Sequence, residues 1–408
     1  MSVGAGSAVD VALAAAETSV AGGVITAGKT LTLSASNNTD ATAKADGSAT
    51  GSSSVGIGAA VAINVPILKN EAYIGSNAEI HAGGLVIEAV MTDVQGDKKQ
   101  NFGAEATAGA SGKSVGIAGS LALSILDAQS TAEVRSGAQV TLTGGDAKLT
   151  AENTTVSTAI AKPANEGAVA GSVGVGASVA LNIANTVTVA ELEDGVVLTG
   201  AKDLILSATS DNSVITEAKA GGAATGGSGV GIGGAIGISV ANNETRTELG
   251  AGGLQTVTGH LRAVATHTGS TLTSADGSAG GESAGIGIAL GLNIVTDKTL
   301  ATTERDIVAG GDVMFAAHAS GASSAGAKAS ATGGKEEDSS DPDKDKGVDK
   351  KVGAERGLAD KKAGETGTKG TGDAKETPAA ETSGGGVSVA AAVGVNIAGS
   401  TAQAYIPA

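Results

Sequence analysis

Bulky aliphatic residues alternate with small residues along a phrase that occurs seven times in this chain. It reads SVGIGAAVAINV from Ser54 and SVGVGASVALNI from Ser172. The copies begin near residues 2, 54, 114, 172, 229, 283 and 386, the first being the weakest. Alternation with a period of two predicts a β-strand. Recurrence of the phrase predicts a repeat architecture.

The two faces of the predicted strand differ in side-chain size. In the copy at 54–65, one face carries Val55, Ile57 and Ile63, and the other carries mainly Gly and Ala. We expect the bulky face to enter the core, because burying each Val or Ile stabilises the fold by roughly 1.5–3 kcal/mol. The bare face is either an exposed flat surface or packs on another sheet at less than the usual ~10 Å. Close packing is favoured, because interior glycines otherwise weaken a strand.

A polar residue recurs near the end of the phrase. It is Asn64, Ser124, Asn182, Ser239, Asn293 or Asn396, with Ala12 at this position in the weak copy. If the copies stack in register, these side chains form a ladder in which each amide bonds the next rung. Alternatively, Asn and Ser simply favour a bend after the strand. The sequence leaves both interpretations open.

The rest of each repeat contains further short strands separated by glycine turns. Gln139–Thr143 is one example, and alternating alanines follow at 102–110 and 325–331. This pattern predicts an all-β fold, most simply a parallel β-helix-like solenoid in which neighbouring coils bury each other. Stacked β-hairpin or sandwich modules are the alternative. One or two rungs per repeat fit the spacing equally well.

A charged segment divides the predicted solenoid. Residues 1–334 form the repeats, 335–382 are an insertion, and 383–408 begin a further repeat. The insertion contains 10 Lys or Arg and 13 Asp or Glu. With so few large apolar residues, this segment is predicted to be a disordered loop.

Composition narrows the possible functions. The formal net charge is -16, and the chain has no Trp or Cys. An acidic, aromatic-poor chain lacks the basic patches and stacking platforms of nucleic-acid binders, so no nucleic-acid partner is predicted. Disulfides and thiolate metal sites are excluded. No signal peptide is visible, and the repeat pattern is interpreted as a fragment of a longer protein.

No residue set predicts catalysis, cofactor binding or a metal site. The Asp run at 338, 341, 343 and 345 lacks the central Gly and terminal Glu of an EF-hand loop. The four histidines, His81, His260, His267 and His318, have no recognised ligand spacing. The glycines at 226–233 are not followed by the Lys and Ser or Thr of a phosphate loop. We therefore predict no cofactor and no enzymatic activity.

The phrase SVGVGASVALNIANT at Ser172, with its polar link and alanine-rich return, resembles repeats in giant filamentous adhesins and leukotoxin-like exoproteins of Gram-negative bacteria. The resemblance covers nearly the whole chain except 335–382. It implies an extracellular or cell-surface solenoid that serves adhesion, cell contact or matrix formation, with no catalytic residues.

The predicted function is therefore that of a stiff structural segment or contact surface of a large adhesin or filament. Its predicted partners are other segments of a longer parent chain or copies of itself joined end to end, and possibly a cell-surface or matrix ligand. One alternative is a host- or membrane-binding toxin module that uses the bare face or the insertion. A carbohydrate-active β-helix enzyme is a further alternative.

Overall fold

The computed structural model describes residues 1–51, 53–333, 379–383 and 387–407, and for Glu166 and 379–383 it describes the backbone. Every regular element in these ranges is a β-strand. The strands join in parallel ladders that run through the whole stack. The predicted all-β solenoid fold is confirmed.

The seven copies of the phrase form one sheet, here called the phrase sheet. Its strands are β1 (Ser2–Asp10), β4 (Val55–Asn64), β7 (Val115–Val134), β10 (Val173–Leu192), β13 (Val230–Leu249), β16 (Ala284–Thr303) and β20 (Val387–Tyr405). The five inner strands pair in parallel with the copies before and after them, and β1 and β20 each pair with one neighbour. Most of these strands are longer than the repeated phrase and continue into its polar link.

The chain then turns and runs back beneath the phrase sheet. The return sheet contains β3 (Ala41–Asp46), β6 (Gln100–Gly112), β9 (Ala147–Ala170), β12 (Leu204–Ala224), β15 (Leu261–Gly281), β18 (Val313–Gly333) and β19 (Ala379–Ser383). Short strands lie at the turn, namely β8 (Gln139–Leu142), β11 (Val197–Thr199), β14 (Gln255–Val257) and β17 (Ile307–Ala309). In the first two coils the turn is continuous within β2 (Leu13–Asn37) and β5 (Ile67–Met91).

Each repeat makes one coil of the solenoid. Val173 pairs with Val230 in the next coil and with Val115 in the preceding one. The return strands follow the same offset, since Leu204 pairs with Leu261 and Ala147. The question of one or two rungs per repeat is thereby answered: there is one.

The core changes character along the coil. Where the chain turns, three short stretches enclose large aliphatic side chains such as Ile74, Ile80 and Leu85. We call this part the head. Away from it, in the tail, the phrase and return sheets face each other across a layer made almost entirely of alanine. The hydrophobic volume is therefore concentrated in the head.

The two sheets of the tail approach so closely that glycine is required. A Cβ placed on Gly176 would lie 2.0 Å from the carbonyl oxygen of Gly221 in the return strand. A Cβ on Gly233 would lie 1.8 Å from the carbonyl oxygen of Ser278. The expectation of close packing by the bare face is confirmed. The opposing backbone leaves no room for a side chain at these two positions.

The expectation that the bulky face enters the core is wrong. In β4 the Gly, Ala and Asn residues at even positions are buried, whereas Val55, Ile57 and Val61 face outward and are only partly covered. Side chains of that size do not fit between sheets whose backbones nearly touch. They gain cover from the same residue type in the coils above and below, as Ile57 does from Ile117.

The recurring polar residue also lies inside. Asn64, Ser124 and Asn182 are fully buried and face the return sheet. Asn64 Nδ2 donates to Ala41 O at 2.8 Å, and Asn182 Nδ2 donates to Ser157 O at 2.9 Å. These bonds join the two sheets of the tail, so the polar column is mainly a cross-link between them.

Rung-to-rung bonding occurs in one place in this polar column, where Asn293 Nδ2 donates to Asn396 Oδ1 at 2.9 Å. The bend interpretation fails in β7, β10, β13, β16 and β20, which all continue past the polar residue. The weak first copy is shifted by two residues, because Ser2 pairs with Gly56. Asp10, and not Ala12, therefore occupies the polar column in the first coil.

The predicted insertion at 335–382 lies outside the described residues, except for 379–382. Those four residues lie in β19, where Ala379 pairs with Lys328 of β18. The return sheet thus resumes before the seventh phrase strand.

Two neighbouring glycines provide a direct test of the close approach. We expect Gly233→Ala to destabilise the fold by about 3 kcal/mol, because its Cβ would meet backbone that cannot move independently of the sheet. Gly234→Ala is the matched control. It faces outward with no atom within 4 Å of an added Cβ, so its unfolding free energy should change by less than about 1 kcal/mol. Chemical denaturation of both variants measures this, and equal effects would contradict the packing described here.

Candidate functional site

The most extensive unusual surface is the outer side of the phrase sheet in the tail. Counting the first residues of β4, β7, β10, β13, β16 and β20 as row 1, and placing β1 by its pairing to β4, rows 1 to 11 point outward at odd positions. We call these outward residues the aliphatic face. All of them are Val, Ile, Leu, Ala or Gly, except Met1 and Ser7 in the first coil.

Several members of the aliphatic face are open to solvent. Ile288 is 49% exposed, Ile117 is 41% exposed, and Leu121 and Ile236 are each 37% exposed. Soluble monomers rarely expose contiguous apolar patches larger than a few hundred Å², and larger patches mark interaction sites. Seven adjacent strands of such residues exceed that size, which makes this face a candidate interaction surface.

The opposite outer surface of the tail is polar. On the return sheet, Lys44 Nζ lies 3.4 Å from Glu105 Oε2, and Lys162 also pairs with Glu105. Lys219 pairs with Glu217 one coil further on. The hydrogen bond from Lys162 is the main reason that the pKa of Glu105 lies below its usual range. The apolar character therefore belongs to one side of the tail.

Beyond row 11 the phrase sheet becomes charged and forms a second feature. Glu133, Glu191 and Glu193 bring carboxylate oxygens within 4.8 Å of one another. Arg246 Nη2 lies 2.7 Å from Glu191 Oε2, and Arg246 also pairs with Glu248. This glutamate cluster lines part of a pocket of about 350 Å³ at the edge of the head.

Burial governs the protonation of the cluster. It raises the pKa of Glu191 to about 7, although Arg246 opposes that shift. Burial also raises the pKa of Glu133, against the hydrogen bond and charge of Arg135. Three carboxylates of this kind can share a proton or hold a divalent cation. The cluster is thus a place where charge depends on pH near neutrality.

A buried polar chain crosses the coils between head and tail. Ser210 Oγ is 2.7 Å from His267 Nδ1, and His267 Nε2 is 3.3 Å from Asp297 Oδ1. Asn243 Nδ2 donates to the same Asp297 oxygen at 2.7 Å. Burial alone would raise the pKa of Asp297, but the hydrogen bonds from His267 and Asn243 hold it below its usual range.

These residue types also occur in Ser-His-Asp catalytic triads, but the surroundings here differ. Ser210 is 2% exposed, and its hydroxyl is also 2.6 Å from Thr245 Oγ1 in β13 of the phrase sheet. A nucleophile must reach its substrate, and this hydroxyl is enclosed by coils. The geometry makes Ser210, His267 and Asp297 a cross-link between the phrase and return sheets.

The other residues considered from the sequence lie apart. His81 pairs with Glu79 at 2.9 Å on the surface, and His260 lies 3.4 Å from Asp312 at a turn. His318 is exposed on β18. The Asp run at 338–345 lies outside the described residues. Gly231 and Gly233, within the glycine-rich stretch, face opposing backbone in the tail.

Sequence reasoning missed the glutamate cluster, the buried His267–Asp297 pair and the orientation of the aliphatic face. Glu133, Glu191 and Glu248 occupy one position of the repeat, because Glu191 pairs with both others. Aligning the repeats beyond the phrase would have placed these glutamates side by side. His267 and Asp297 have no such signal, since they lie on facing sheets.

Comparison with known proteins provides no relative. No protein-family model, no curated protein and no solved structure matches this chain. Within the described ranges, no helix has the length and apolarity needed to cross a membrane.

The raised pKa of Glu191 predicts a pH-dependent stability. The folded chain holds this proton up to about pH 7, whereas an unperturbed glutamate releases it near 4.5. Between these values the native state binds more protons, so this contribution is complete below pH 4.5 and is lost as pH rises through 7. The loss is up to about 3 kcal/mol.

Glu191→Gln should remove this contribution, because the amide does not titrate. We expect the difference in unfolding free energy between the parent chain and the variant to change by about 3 kcal/mol between pH 4.5 and pH 8. Glu79→Gln, at an exposed carboxylate outside the cluster, is the control. Parallel pH profiles for the parent chain and Glu191→Gln would contradict the prediction.

Proposed function

We propose that this chain is a stiff structural segment of an extracellular or cell-surface fibre of the adhesin type. The observation that carries the proposal is the parallel, in-register pairing that continues from β1 to β20 with one coil per repeat. In such a stack, backbone hydrogen bonds between coils carry a load applied along the solenoid axis. The unpaired backbone groups of an end strand can pair with a further coil. The resemblance of the phrase to repeats of filamentous adhesins supports the extracellular location.

The proposed partners are further coils of the same kind, supplied by a longer parent chain or by another copy. Among the described strands, β1 and β20 are each paired on one side only. Open strand edges are ready to pair with another chain. A cell-surface or matrix ligand would bind to the sides of the fibre. Nucleic acid is not proposed as a partner, because the net charge is -16.

If the chain is a toxin module, its contact surface is not the one expected from the sequence. The bare Gly and Ala face, offered above as its membrane- or host-binding surface, is buried between the two sheets of the tail. The aliphatic face is the remaining described surface with the required character. A carbohydrate-active enzyme has no supporting observation, so we do not propose that activity.

End-to-end joining can be tested at the polar column. If β20 of one copy pairs with β1 of another in the register of the stack, Asn396 lies beside Asp10. The amide of Asn396 can then donate to the Asp10 carboxylate, as Asn293 donates to Asn396 at 2.9 Å. Asn396→Asp would place two carboxylates about 4.8 Å apart, so we expect association to weaken by about tenfold or more at neutral pH.

A swapped pair provides the matched control. Asp10→Asn combined with Asn396→Asp restores one amide and one carboxylate, so association should recover. Light scattering and electron microscopy measure particle length as a function of concentration. Rods that shorten with Asn396→Asp and lengthen again with the double variant support the proposal. A strictly monomeric parent chain at high concentration, or no recovery in the double variant, would overturn it.

A further inference from the structure

We propose that the aliphatic face pairs with the same face of a second copy, around a two-fold axis parallel to the solenoid axis. This goes beyond end-to-end growth, because it concerns the side of the fibre and a different set of residues.

The face is large enough to hold two copies together. Eleven residues at about 3.3 Å and seven strands at about 4.8 Å give a geometric area of about 36 Å by about 34 Å, or roughly 1,200 Å². Two such faces would remove about 2,400 Å² from water, which lies in the range of obligate homodimers, above about 2,000 Å². Area therefore does not limit the pairing.

Charge favours this face over the rest of the surface. The chain carries a net charge of -16, so two copies repel each other. The aliphatic face contains no charged side chain in any of its seven strands, so two copies can approach on it without opposing like charges. The same net charge also disfavours an anionic membrane as the occupant.

Two glycines on this face are not explained by packing within one chain. Gly119 and Gly234 point outward, and an added Cβ would meet no atom within 4 Å. Gly176 and Gly233 differ from them, because an added Cβ there would meet the opposing backbone. A glycine in a strand interior weakens the strand unless another backbone or a ligand approaches closely. Something outside this chain is therefore expected to come close at Gly119 and Gly234.

The neighbouring outward residues show what that partner would be. A two-fold axis along the stack, placed between rows 5 and 7, brings row 5 of each coil against row 7 of the same coil in the second copy. Gly119 then meets Leu121, and Gly234 meets Ile236. The smallest residues of row 5 thus face the larger residues of row 7, both of which are 37% exposed in the single chain.

The size relation extends to other coils. Where row 5 has Ala59 or Ala177, row 7 has Val at positions 61 and 179, whereas the first coil places Ala5 against Ser7. The coil of Ala391 follows the same rule with Val393. Only the coil of Ile288 places two large residues together, Ile288 and Leu290. At rows 3 and 9 the same axis sets Val, Ile or Leu against Val, Ile or Leu in every coil, so the matching of small to large residues belongs to rows 5 and 7.

The test fills the open positions. Gly119→Val with Gly234→Val adds side chains where the single chain leaves space, so the fold should be retained, while the second copy is pushed away. The experiment is done in the Asn396→Asp background, which suppresses end-to-end joining, so that failure of lateral pairing and failure of end-to-end growth are distinguishable. We expect a dimer with micromolar or tighter affinity by sedimentation velocity and at least a tenfold weakening in the double glycine variant.

Two further variants make the test specific. Gly399→Val is the matched control, because Gly399 lies in the phrase sheet beyond the aliphatic face and also has open space around it. Gly234→Val combined with Ile236→Ala exchanges the small and large positions within one coil, so pairing should be regained. Retained dimers in Gly119→Val/Gly234→Val, or loss of dimers in Gly399→Val, would overturn the proposed geometry.

Cross-linking checks the register of the two copies. The chain has no cysteine, so single cysteines report only their own contacts. Ala177→Cys mixed with Val179→Cys should give a disulfide-linked heterodimer on mild oxidation, in larger yield than either variant alone. Thr209→Cys, exposed on the return sheet, should not link. A monomeric parent chain would overturn the proposal, and if that monomer bound phosphatidylcholine vesicles through this face, a lipid surface would be the occupant instead.

Discussion

The structure depends on how closely the two sheets of the tail approach each other. Where an added Cβ on Gly233 would lie 1.8 Å from a carbonyl oxygen, the space between the sheets holds mostly glycine and alanine, with serine, threonine and asparagine at the polar column. The Val and Ile residues of the phrase must then point outward. The large aliphatic core moves to the head, where three stretches of chain enclose enough space for Leu and Ile. One distance thus determines which face is the interior.

In-register stacking is the second condition, because it places equivalent residues of successive repeats side by side. A polar residue inside the tail lies between like residues of adjacent coils, and it bonds mainly across the coil, as Asn182 does to Ser157. An aliphatic residue on the outer side of the phrase sheet contacts the equivalent residues of the coils above and below, which cover part of its surface. A glutamate such as Glu191 lies between Glu133 and Glu248, so burial and like charge act together on its protonation.

The repeats and their alternation were sufficient to predict strands, a solenoid and close packing by the bare face. The orientation of the bulky face could not be predicted from them, because alternation separates two faces without saying which is inside. The usual rule that Val and Ile enter the core fails for Ile57, since the opposing backbone leaves no room. Glu133 and Glu191 could have been placed together by extending the repeat alignment. His267 and Asp297 could not, because their meeting depends on which return residue faces which phrase residue.

The two proposed contacts are compatible in one assembly. A two-fold axis parallel to the solenoid axis leaves the direction of stacking unchanged, so each coil meets the equivalent coil of the second copy, however many coils are added. Other axes in the plane of the face would reverse the order of the coils, and the pairing would end where one stack ended. Two solenoids joined in this way would resist bending more than one, because bending would stretch one and compress the other. A charge-free face on one side and paired Lys and Glu residues on the other would leave the assembly with a polar exterior.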